Sequence, residues 1–417
     1  MRFFAMLLCL CMDVFSATLP PQSPRLQALI NHLEHGGTTQ AFWEQMAVQQ
    51  TPLMEEIGLE NELLLTFLYR GARHNVYLFG APSGEHDALY RLGASDVWYR
   101  SYVVDKRTRL SYQLSPDIKP NDDSPLAFRT ALLENMQHDF LNPKMLSVKL
   151  GERDFIKSLV ELPLAPKQPW IQERDVPKGT LEKHAFFSKT LNNTRDIYLY
   201  RSFGYKGGDA VVVLFDAESY ASHVPTPTIL DNLVAAKKLP PLAAILISNP
   251  SSATRSNELP PNPLFANFVA QEVMPWAKEQ GIYAAASQTV ITGSSYGGLA
   301  SAYIALCYPE IFGNVYAQSG SFWWSPKEEK EPEWLSRTYA QRTREPIRFY
   351  LEAGLFEVSR VWKVGILEST RHFRDVLMDK GYEVSYAESY SGHDYAHWRG
   401  SLADGLITLL NPSLKEP

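Results

Sequence analysis

Thr289-Val-Ile-Thr-Gly-Ser-Ser-Tyr-Gly-Gly298 is the stretch that decides the fold of this chain. A β-branched run precedes a G-x-S-x-G motif centred on Ser295, and a helix-compatible run, residues 299–306, follows it. A strand, a sharp turn and a helix in this order predict a nucleophilic serine at the end of a buried strand. The flanking glycines fit, because larger side chains would clash inside such a turn. The motif also occurs by chance in ordinary Gly-rich turns, so its place in the chain must decide.

Apolar strands alternate with helices on both sides of this motif. Buried strands are predicted at 210–215, 242–247, 314–317, 347–351 and 383–386, after an opening antiparallel pair at 182–187 and 196–200. Helices are predicted over 228–238, 264–279 and 360–379, and from about 397. Near-continuous apolar strands that alternate with helices indicate a mostly parallel sheet covered on both faces. We therefore expect an α/β fold of the α/β-hydrolase type over residues 179–417.

The earlier part of the chain has a different pattern. Four short strand-like runs at roughly ten-residue spacing between 61 and 162 predict a small β-sandwich, which we interpret as structural or as a substrate-recognition module. Residues 18–60 are predicted to be helical, since apolar residues recur at helical spacing there. Prolines 163, 166, 169 and 177 mark a linker over 163–178.

Length and charge narrow the classes of function. A chain of 417 residues suggests two domains, and its net charge of −6 without a basic run argues against a general nucleic-acid binder. An anionic ligand would need a local Arg or Lys site. Residues 1–17 resemble a secretory signal, which predicts a periplasmic or secreted protein; if these residues are not a signal, the expectation is a cytoplasmic protein. No other stretch has the roughly 20 apolar residues of a membrane span.

Chain order supplies partners for the serine. In an α/β-hydrolase the nucleophile, the acid and the base follow one another at the carboxyl ends of strands. The strand at 347–351 leads to Glu352 and Glu357, and we favour Glu357 because it lies past the strand in a loop. The strand at 383–386 leads to His393 in a Gly-flanked loop, with His397 at the start of the last helix as the weaker candidate.

These residues define a charge-relay site. Ser295 would attack an acyl carbon, His393 would take and return the proton, and Glu357 would fix the imidazole tautomer. The backbone N–H of Tyr296 would supply one oxyanion donor. The second would come from Ala217 or Glu218, in the loop after the strand at 210–215; each such donor contributes roughly 3 kcal/mol.

With these residues in view, the chain resembles the enterochelin esterase family of ferric-enterobactin trilactone hydrolases. The resemblance covers nearly all of residues 180–412 in the family's order, and Asp96-Val-Trp98 is similar to its N-terminal domain of immunoglobulin-like fold. The matching segments in the second domain are Asp216-Ala-Glu-Ser-Tyr220, Arg255 with Glu258-Leu259, the serine motif, Gln318-Ser-Gly-Ser-Phe-Trp-Trp324, Leu351-Glu-Ala-Gly-Leu-Phe-Glu357 and Gly392-His-Asp394 through Trp398-Arg-Gly400.

The resemblance implies a nucleophile at Ser295, a base at His393 and an acid at Glu357. It also implies substrate contacts from Arg255, an aromatic shelf at Trp323 and Trp324 for catechol rings, and a further charge partner at Arg399. Core packing is an equally good interpretation for at least one of the tryptophans, and an exposed helix arginine is the commoner outcome for residue 399.

The chain departs from the family's pattern in three places. The loop that is usually Asp-Gly-Gln is Asp216-Ala217-Glu218, which puts the second oxyanion donor in question. The family's two-domain members are cytosolic, whereas this chain begins with an export-like segment. Its early helical segment has no counterpart in the pattern.

The sequence leaves three functions open. The first is a serine esterase that opens the ester bonds of a catecholate siderophore, with no metal or cofactor of its own, iron entering as part of the small-molecule substrate. The second is an esterase or acyltransferase of the same fold acting on a feruloyl, acyl or carbohydrate ester. The third is a siderophore-binding protein with a vestigial site, which the ordered Ser295, Glu357 and His393 argue against.

Overall fold

The computed structural model describes residues 22–119, 125–150, 153–359 and 364–411. The predicted signal segment, 1–17, lies outside these residues. The described chain forms an N-terminal part rich in antiparallel strands and a C-terminal α/β part, as the sequence predicted.

Two helices and one strand open the described chain. Helix α1 (Pro24–Glu34) begins after Ser23, whose hydroxyl accepts the backbone N–H of Leu26, and α2 (Gln40–Gln49) follows. The prediction of a helical segment up to residue 60 is wrong at its end, because β1 (Leu53–Glu56) pairs with the next strand. Pro52 cannot donate the backbone hydrogen bond that a continuing helix needs, so the helical pattern stops before it. The apolar faces of α1 and α2 pack against the sandwich.

The N-terminal sandwich has two antiparallel sheets that enclose one apolar core. One sheet has the order β1-β2-β6-β5 and the other β4-β3-β7-β9-β8, and helix α3 (Pro125–Glu134) lies between β7 and β8 in the chain. The strands after β1 are β2 (Glu62–Arg70), β3 (Val76–Phe79), β4 (Asp87–Ala88), β5 (Tyr90–Arg91), β6 (Val97–Asp105), β7 (Arg109–Pro116), β8 (Met145–Leu150) and β9 (Arg153–Glu161). The four predicted runs correspond to β2, β3, β6 and β7.

The C-terminal part is built on an eight-stranded sheet of order β10-β11-β13-β12-β14-β15-β16-β17. The strands from β13 through β17 in this order run parallel, and β10 and β11 form the predicted antiparallel pair. The strands are β10 (Thr180–Ser188), β11 (Asn193–Arg201), β12 (Ala210–Phe215), β13 (Leu242–Ile247), β14 (Thr289–Ser294), β15 (Asn314–Gln318), β16 (Arg348–Gly354) and β17 (Glu383–Ser389).

Helices cover both faces of this sheet, and alternate residues of each buried strand enter different cores. Val211 and Val213 of β12 pack into one apolar cluster, while Val212 and Leu214 pack into the other. The helices are α4 (Ala217–Tyr220), α5 (Thr226–Ala235), α6 (Ser252–Glu258), α7 (Pro263–Asn267), α8 (Met274–Glu279), α9 (Tyr296–Cys307), α10 (Trp334–Gln341), α11 (Ile366–Asp379) and α12 (Tyr395–Leu410). A π-helical turn, Phe268–Val273, joins α7 to α8, so the predicted helix over 264–279 is continuous.

Helix α11 begins later than the sequence predicted. The first residue of the predicted helix, 360, lies outside the described residues, and α11 starts at Ile366 after the extended Gly365. A side chain at position 365 would come within 2.7 Å of the backbone nitrogen of Ser359 and 2.8 Å of the backbone oxygen of Glu357. Glycine therefore allows the loop that carries Glu357 to approach the helix start closely.

Candidate active site

Ser295 lies in a strained turn between β14 and α9. Its backbone has φ 59° and ψ −120°, a conformation that L-residues rarely adopt. A Cβ at position 293 would stand 2.9 Å from backbone atoms of Gly297, which explains the first glycine of the motif. The turn is held because the Ser295 N–H donates to the Gln318 backbone oxygen at 3.0 Å. The contacts around the turn therefore hold Ser295 in a backbone conformation that is unfavourable in itself.

The hydroxyl of Ser295 has one close partner. Its Oγ lies 3.2 Å from the Oγ of Ser321, whose N–H donates to the Ser295 backbone oxygen at 3.0 Å. Between Ser295 and His393, both within the described chain, the structure records no hydrogen bond. Catalytic hydrogen bonds are often long in ligand-free enzymes and tighten when substrate binds. Ser321, which the sequence analysis did not single out, is the residue that holds the hydroxyl here.

His393 and Glu357 form a hydrogen-bonded pair. The Nδ1 atom of the imidazole lies 2.9 Å from Oε2 of the carboxylate, and the Nε2 atom is left available for a proton transfer. The Glu357 side chain is only 2% exposed, whereas 40% of the His393 side chain is open to solvent. The ring packs edge-on against Trp398, with centroids 4.8 Å apart. A buried carboxylate thus orients an accessible imidazole.

Glu357 is positioned by two further donors. Its Oε1 accepts hydrogen bonds from the Ser319 hydroxyl at 2.6 Å and from the Gly354 N–H at 2.9 Å. Ser319 in turn accepts the Trp398 indole N–H at 3.0 Å. The carboxylate is therefore hydrogen-bonded through both oxygens, with Oε2 directed at the imidazole of His393.

The weaker candidates, Glu352 and His397, form a separate buried network. Glu352 lies within β16, and its Oε1 accepts hydrogen bonds from Gln318 at 3.1 Å and from Ser401 at 2.7 Å. Burial raises its pKa to about 8, so the carboxyl is mostly protonated at neutral pH. Burial lowers the pKa of His397 to about 4, and its Nε2 lies 3.1 Å from the Ser389 hydroxyl.

The predicted oxyanion loop lies against the serine turn. A Cβ at Gly297 would stand 3.5 Å from Cβ of Phe215 and 3.7 Å from Oδ2 of Asp216, so the end of β12 meets the first turn of α9. Asp216 has φ 56°, and α4 begins at the next residue, Ala217. Helix N-termini present N–H groups without intrahelical partners. The loop thus brings the backbones of Ala217 and Glu218 to the same end of the sheet as that of Tyr296.

Neither arginine expected to contact substrate is a free cation. Arg255 forms a bidentate salt bridge to Asp216, with Nε 2.6 Å from Oδ1 and Nη2 2.7 Å from Oδ2. Arg399 donates to Gln168 at 2.9 Å and lies 3.6 Å from Glu161. Arg255 braces the loop that follows β12, and Arg399 ties the last helix to the linker and to the sandwich.

The two adjacent tryptophans, Trp323 and Trp324, lie in different surroundings. Trp323 is 36% exposed and lines a cavity beside His393, with its ring 6.2 Å from that of Tyr296. Trp324 packs on the apolar core and meets Trp334 edge-on at 6.3 Å. Only Trp323 is placed to act as the aromatic shelf.

The N-terminal domain holds the loop that carries His393. Asp394 accepts hydrogen bonds from both the backbone N–H and the hydroxyl of Ser111 in β7, the latter at 2.8 Å. The N–H of Arg109 donates to the Tyr390 backbone oxygen at 3.0 Å, and the Arg107 guanidinium lies 4.4 Å from the ring centroid of Tyr390. Ser111 and Asp394 are 283 positions apart in the chain, and no local pattern in the sequence indicates their contact.

The same domain also holds the loop that carries Glu357. Phe356 packs against the core of the sandwich. Gly84 (φ +81°) approaches so closely that a Cβ there would stand 2.5 Å from the backbone oxygen of Phe356 and 2.6 Å from that of Val358. Both loops of the His393–Glu357 pair therefore rest on the sandwich.

A cavity of about 480 Å³ lies between the two domains beside this pair. The catalytic domain contributes Trp323, Glu357 and His393, and the sandwich contributes Phe79, His86, Arg129 and Lys157, among others. The domain that the sequence analysis assigned to structure or recognition thus forms one wall of the cavity.

Two protein-family models match this chain, one in each domain. The model for the enterochelin esterase N-terminal domain matches residues 64–171, and the Esterase family model matches residues 188–409, more than half of the chain. The chain belongs to the Esterase family. It is therefore a hydrolase, and both the resemblance and the α/β fold expected from the sequence are confirmed.

Relatives of this esterase match along most of its length. It is 29% identical to an iron(III) enterobactin esterase of Escherichia coli O6:H1, with 81% of this chain and 86% of the relative covered. It is also 29% identical to an iron(III) enterobactin esterase of Dickeya dadantii, with 89% and 93% covered. The crystal structure of the enterobactin esterase of Shigella flexneri in the presence of enterobactin is similar, with a TM-score of 0.72, 26% identity and 90% and 99% covered.

None of the described helices of this esterase is long and apolar enough to cross a membrane. Its described side chains include no group of three or more His, Cys, Asp or Glu placed to hold a metal ion.

Proposed function

We propose that this esterase hydrolyses the ester bonds of a catecholate siderophore, such as the trilactone of ferric enterobactin, through an acyl-enzyme on Ser295. The observation that carries the proposal is the combination of two facts. Relatives named iron(III) enterobactin esterases match along both domains, and the His393–Glu357 pair lies beside an interdomain cavity. The protein needs no cofactor for this chemistry, and iron enters with the substrate.

The residues have the following roles. The Ser295 hydroxyl attacks an ester carbonyl carbon while Nε2 of His393 takes its proton. The tetrahedral oxyanion is stabilised by the N–H of Tyr296 and by an N–H from the loop at Ala217–Glu218. The imidazolium then protonates the departing alkoxide of the substrate, and the C–O bond of the ester breaks. Glu357 keeps the imidazole in the required tautomer and stabilises its charged form.

Deacylation repeats these steps with water. His393 removes a proton from a water molecule, whose oxygen attacks the acyl carbon, and Ser295 leaves with the proton returned by the imidazolium. Because the substrate is a cyclic triester, the first round opens the ring without releasing a fragment. Later rounds would release catechol-serine units.

A chromatographic product assay tests the proposal. Wild type and Ser295→Ala are incubated separately with ferric enterobactin, iron-free enterobactin and a small aryl ester. We expect linear or monomeric catechol-serine products from the wild type alone. If only the aryl ester is cut, the substrate assignment is wrong although the esterase activity stands. If the wild type binds enterobactin tightly and cuts none of the three compounds, the chain is a binding protein.

A further inference from the structure

The sandwich wall of the cavity carries two cations that form no salt bridge with a described carboxylate. Arg129, in α3, and Lys157, in β9, both line the cavity. Among the described residues, neither forms a salt bridge. Arg255 and Arg399, the arginines that the sequence suggested, are both neutralised by carboxylates. Among the described residues, the lining cations of the cavity therefore belong to the N-terminal domain.

The charge of Arg129 reaches both walls of the cavity. Burial and then the nearby Arg129 guanidinium hold the pKa of His86 below its usual value, although Glu85 and Asp87 act in the opposite direction. On the catalytic side, burial raises the pKa of Tyr296, and first Arg255 and then Arg129 oppose that rise. Tyr296 directly follows Ser295, so Arg129 lies close enough to act on charge near the nucleophile.

Aromatic rings lie beside these cations. The Lys157 ammonium lies 5.3 Å from the centroid of Phe79, and Phe79 stacks on His86 with centroids 4.5 Å apart and planes at 25°. Trp323 lines the same cavity from the catalytic domain. A cavity lined by both cations and aromatic rings suits a ligand that is both aromatic and anionic, since its rings can pack on the aromatic side chains while its anionic groups pair with the cations.

Two of the three carboxylates that line the cavity are held by hydrogen bonds to residues other than Arg129 and Lys157. Glu357 is engaged by His393, Ser319 and Gly354, and Asp394 by Ser111 and the first turn of α12. Glu85, the third carboxylate that lines the cavity, belongs to the sandwich side together with Arg129 and Lys157. On the sandwich side of the cavity, the described lining residues therefore comprise two cations, Arg129 and Lys157, and one carboxylate, Glu85.

We propose that Arg129 and Lys157 of the N-terminal domain form the anion-binding site of this esterase, and that they hold the catecholate rings of the substrate in the interdomain cavity. The inference rests on the proposed function and adds the residues that select the substrate class. Placing the recognition cations on one domain and the nucleophile on the other lets the bound substrate bridge the two.

Binding is measured separately from turnover. Ferric enterobactin is titrated into Ser295→Ala, and quenching of tryptophan fluorescence reports the Kd. Arg129→Gln and Lys157→Gln are introduced into the Ser295→Ala parent, first singly and then together. Lys278→Gln, an exposed cation of α8 outside the cavity, removes the same charge as a control. Thermal unfolding verifies that each variant is folded.

We expect each cavity variant to raise the Kd about tenfold and the double variant about a hundredfold, because each loses a charge-assisted contact. The slope of log Kd against log salt concentration should also become shallower, whereas Lys278→Gln should behave like its parent. In the active enzyme, kcat/KM should fall more for ferric enterobactin than for a neutral aryl ester.

The results separate this inference from the proposed function. If the wild type hydrolyses ferric enterobactin but the cavity variants bind it as the Lys278→Gln control does, the anion site is wrong and the function stands. If the variants bind weakly as expected but the wild type cuts no trilactone, the anion site stands and the function is wrong. If the cavity variants lost kcat/KM equally on ferric enterobactin and on the neutral aryl ester, the proposed anion site would also be wrong.

Discussion

Asp394, the residue after the proposed base, is hydrogen-bonded to both the backbone N–H and the hydroxyl of Ser111 in the N-terminal domain. Both residues are buried, and Asp394 also caps α12 by accepting the Ala396 N–H at 2.9 Å. The loop that carries His393 is therefore fixed on one side by its own helix and on the other side by the sandwich. The N-terminal domain is part of the machinery that positions the imidazole.

Ser111→Ala should lower kcat through this contact. The variant loses one hydrogen bond to a carboxylate, worth about 1.5–3 kcal/mol, and keeps the backbone bond. Since small displacements of a catalytic group cost up to about a hundredfold in rate, we expect kcat to fall about ten- to a hundredfold with little change in KM.

The control for this variant lies on the same strand. Ser115 is equally buried, and its hydroxyl donates to the Leu132 backbone oxygen at 3.0 Å, away from the His393 loop. Steady-state kinetics and thermal unfolding of Ser115→Ala should show a stability loss without a loss of kcat. Equal losses of kcat in the two variants would contradict a specific role for the Ser111–Asp394 contact.

Gly84→Ala should disturb the loop that carries Glu357. Gly84 and Gly71 have similar positive φ values, +81° and +85°, so alanine costs about 1–2 kcal/mol of backbone strain at either position. At Gly71 the added methyl group meets open space, whereas at Gly84 it meets the backbone oxygens of Phe356 and Val358. We expect both variants to lose stability in thermal unfolding and only Gly84→Ala to lose activity as well. Loss of activity in Gly71→Ala to the same extent would show that backbone strain alone is responsible.

Glu357→Gln should abolish most of the activity while the fold persists. The Ser319 hydroxyl and the Gly354 N–H both donate to Oε1, so an amide oxygen would take that position and its NH₂ would face Nδ1 of His393. The imidazole would then adopt the tautomer that cannot accept a proton from Ser295, and kcat should fall about 10⁴-fold. Glu352→Gln should have a far smaller effect. A larger loss of kcat in Glu352→Gln would make Glu352 the acid.

Glu352 should instead make stability depend on pH. Burial raises its pKa from the usual 4.5 to about 8 in the folded chain. A carboxyl whose folded pKa is raised contributes stability fully below the unfolded pKa, and this contribution is lost as pH rises through the folded pKa. In denaturant unfolding, the free energy of unfolding of Glu352→Gln should therefore fall less than that of the wild type as the pH rises from 4.5 to about 8. The exposed Glu310→Gln serves as control, and parallel curves for wild type and Glu352→Gln would contradict the assignment.

The fold was largely predictable from the sequence because buried parallel strands leave a direct signature. Ala210–Phe215 is a continuous apolar run, Val290–Thr292 is a β-branched run, and the glycines around Ser295 mark the turn between strand and helix. The order of Ser295, Glu357 and His393 also followed from chain position. The choice between Glu352 and Glu357 required coordinates to test, since both side chains lie near the end of β16.

The contributions of the other domain were not predictable in this way. Ser111, Gly84, Arg129 and Lys157 approach the site through contacts between distant parts of the chain, and such contacts leave no local periodicity. The role suggested for Arg255 likewise depended on its salt bridge to Asp216, which the sequence did not indicate. Charged residues can be found in a sequence, but whether their charge is already neutralised depends on packing.

The most direct test of siderophore ester hydrolysis at Ser295 is intact-protein mass spectrometry on rapidly quenched mixtures with iron-free enterobactin. Because attack on a cyclic triester opens the ring without a leaving fragment, we expect the wild type to gain the mass of one whole enterobactin. Peptide mapping should place that mass on Ser295, and Ser295→Ala should gain nothing. Formation of catechol-serine products by Ser295→Ala at the wild-type rate would contradict the proposed mechanism.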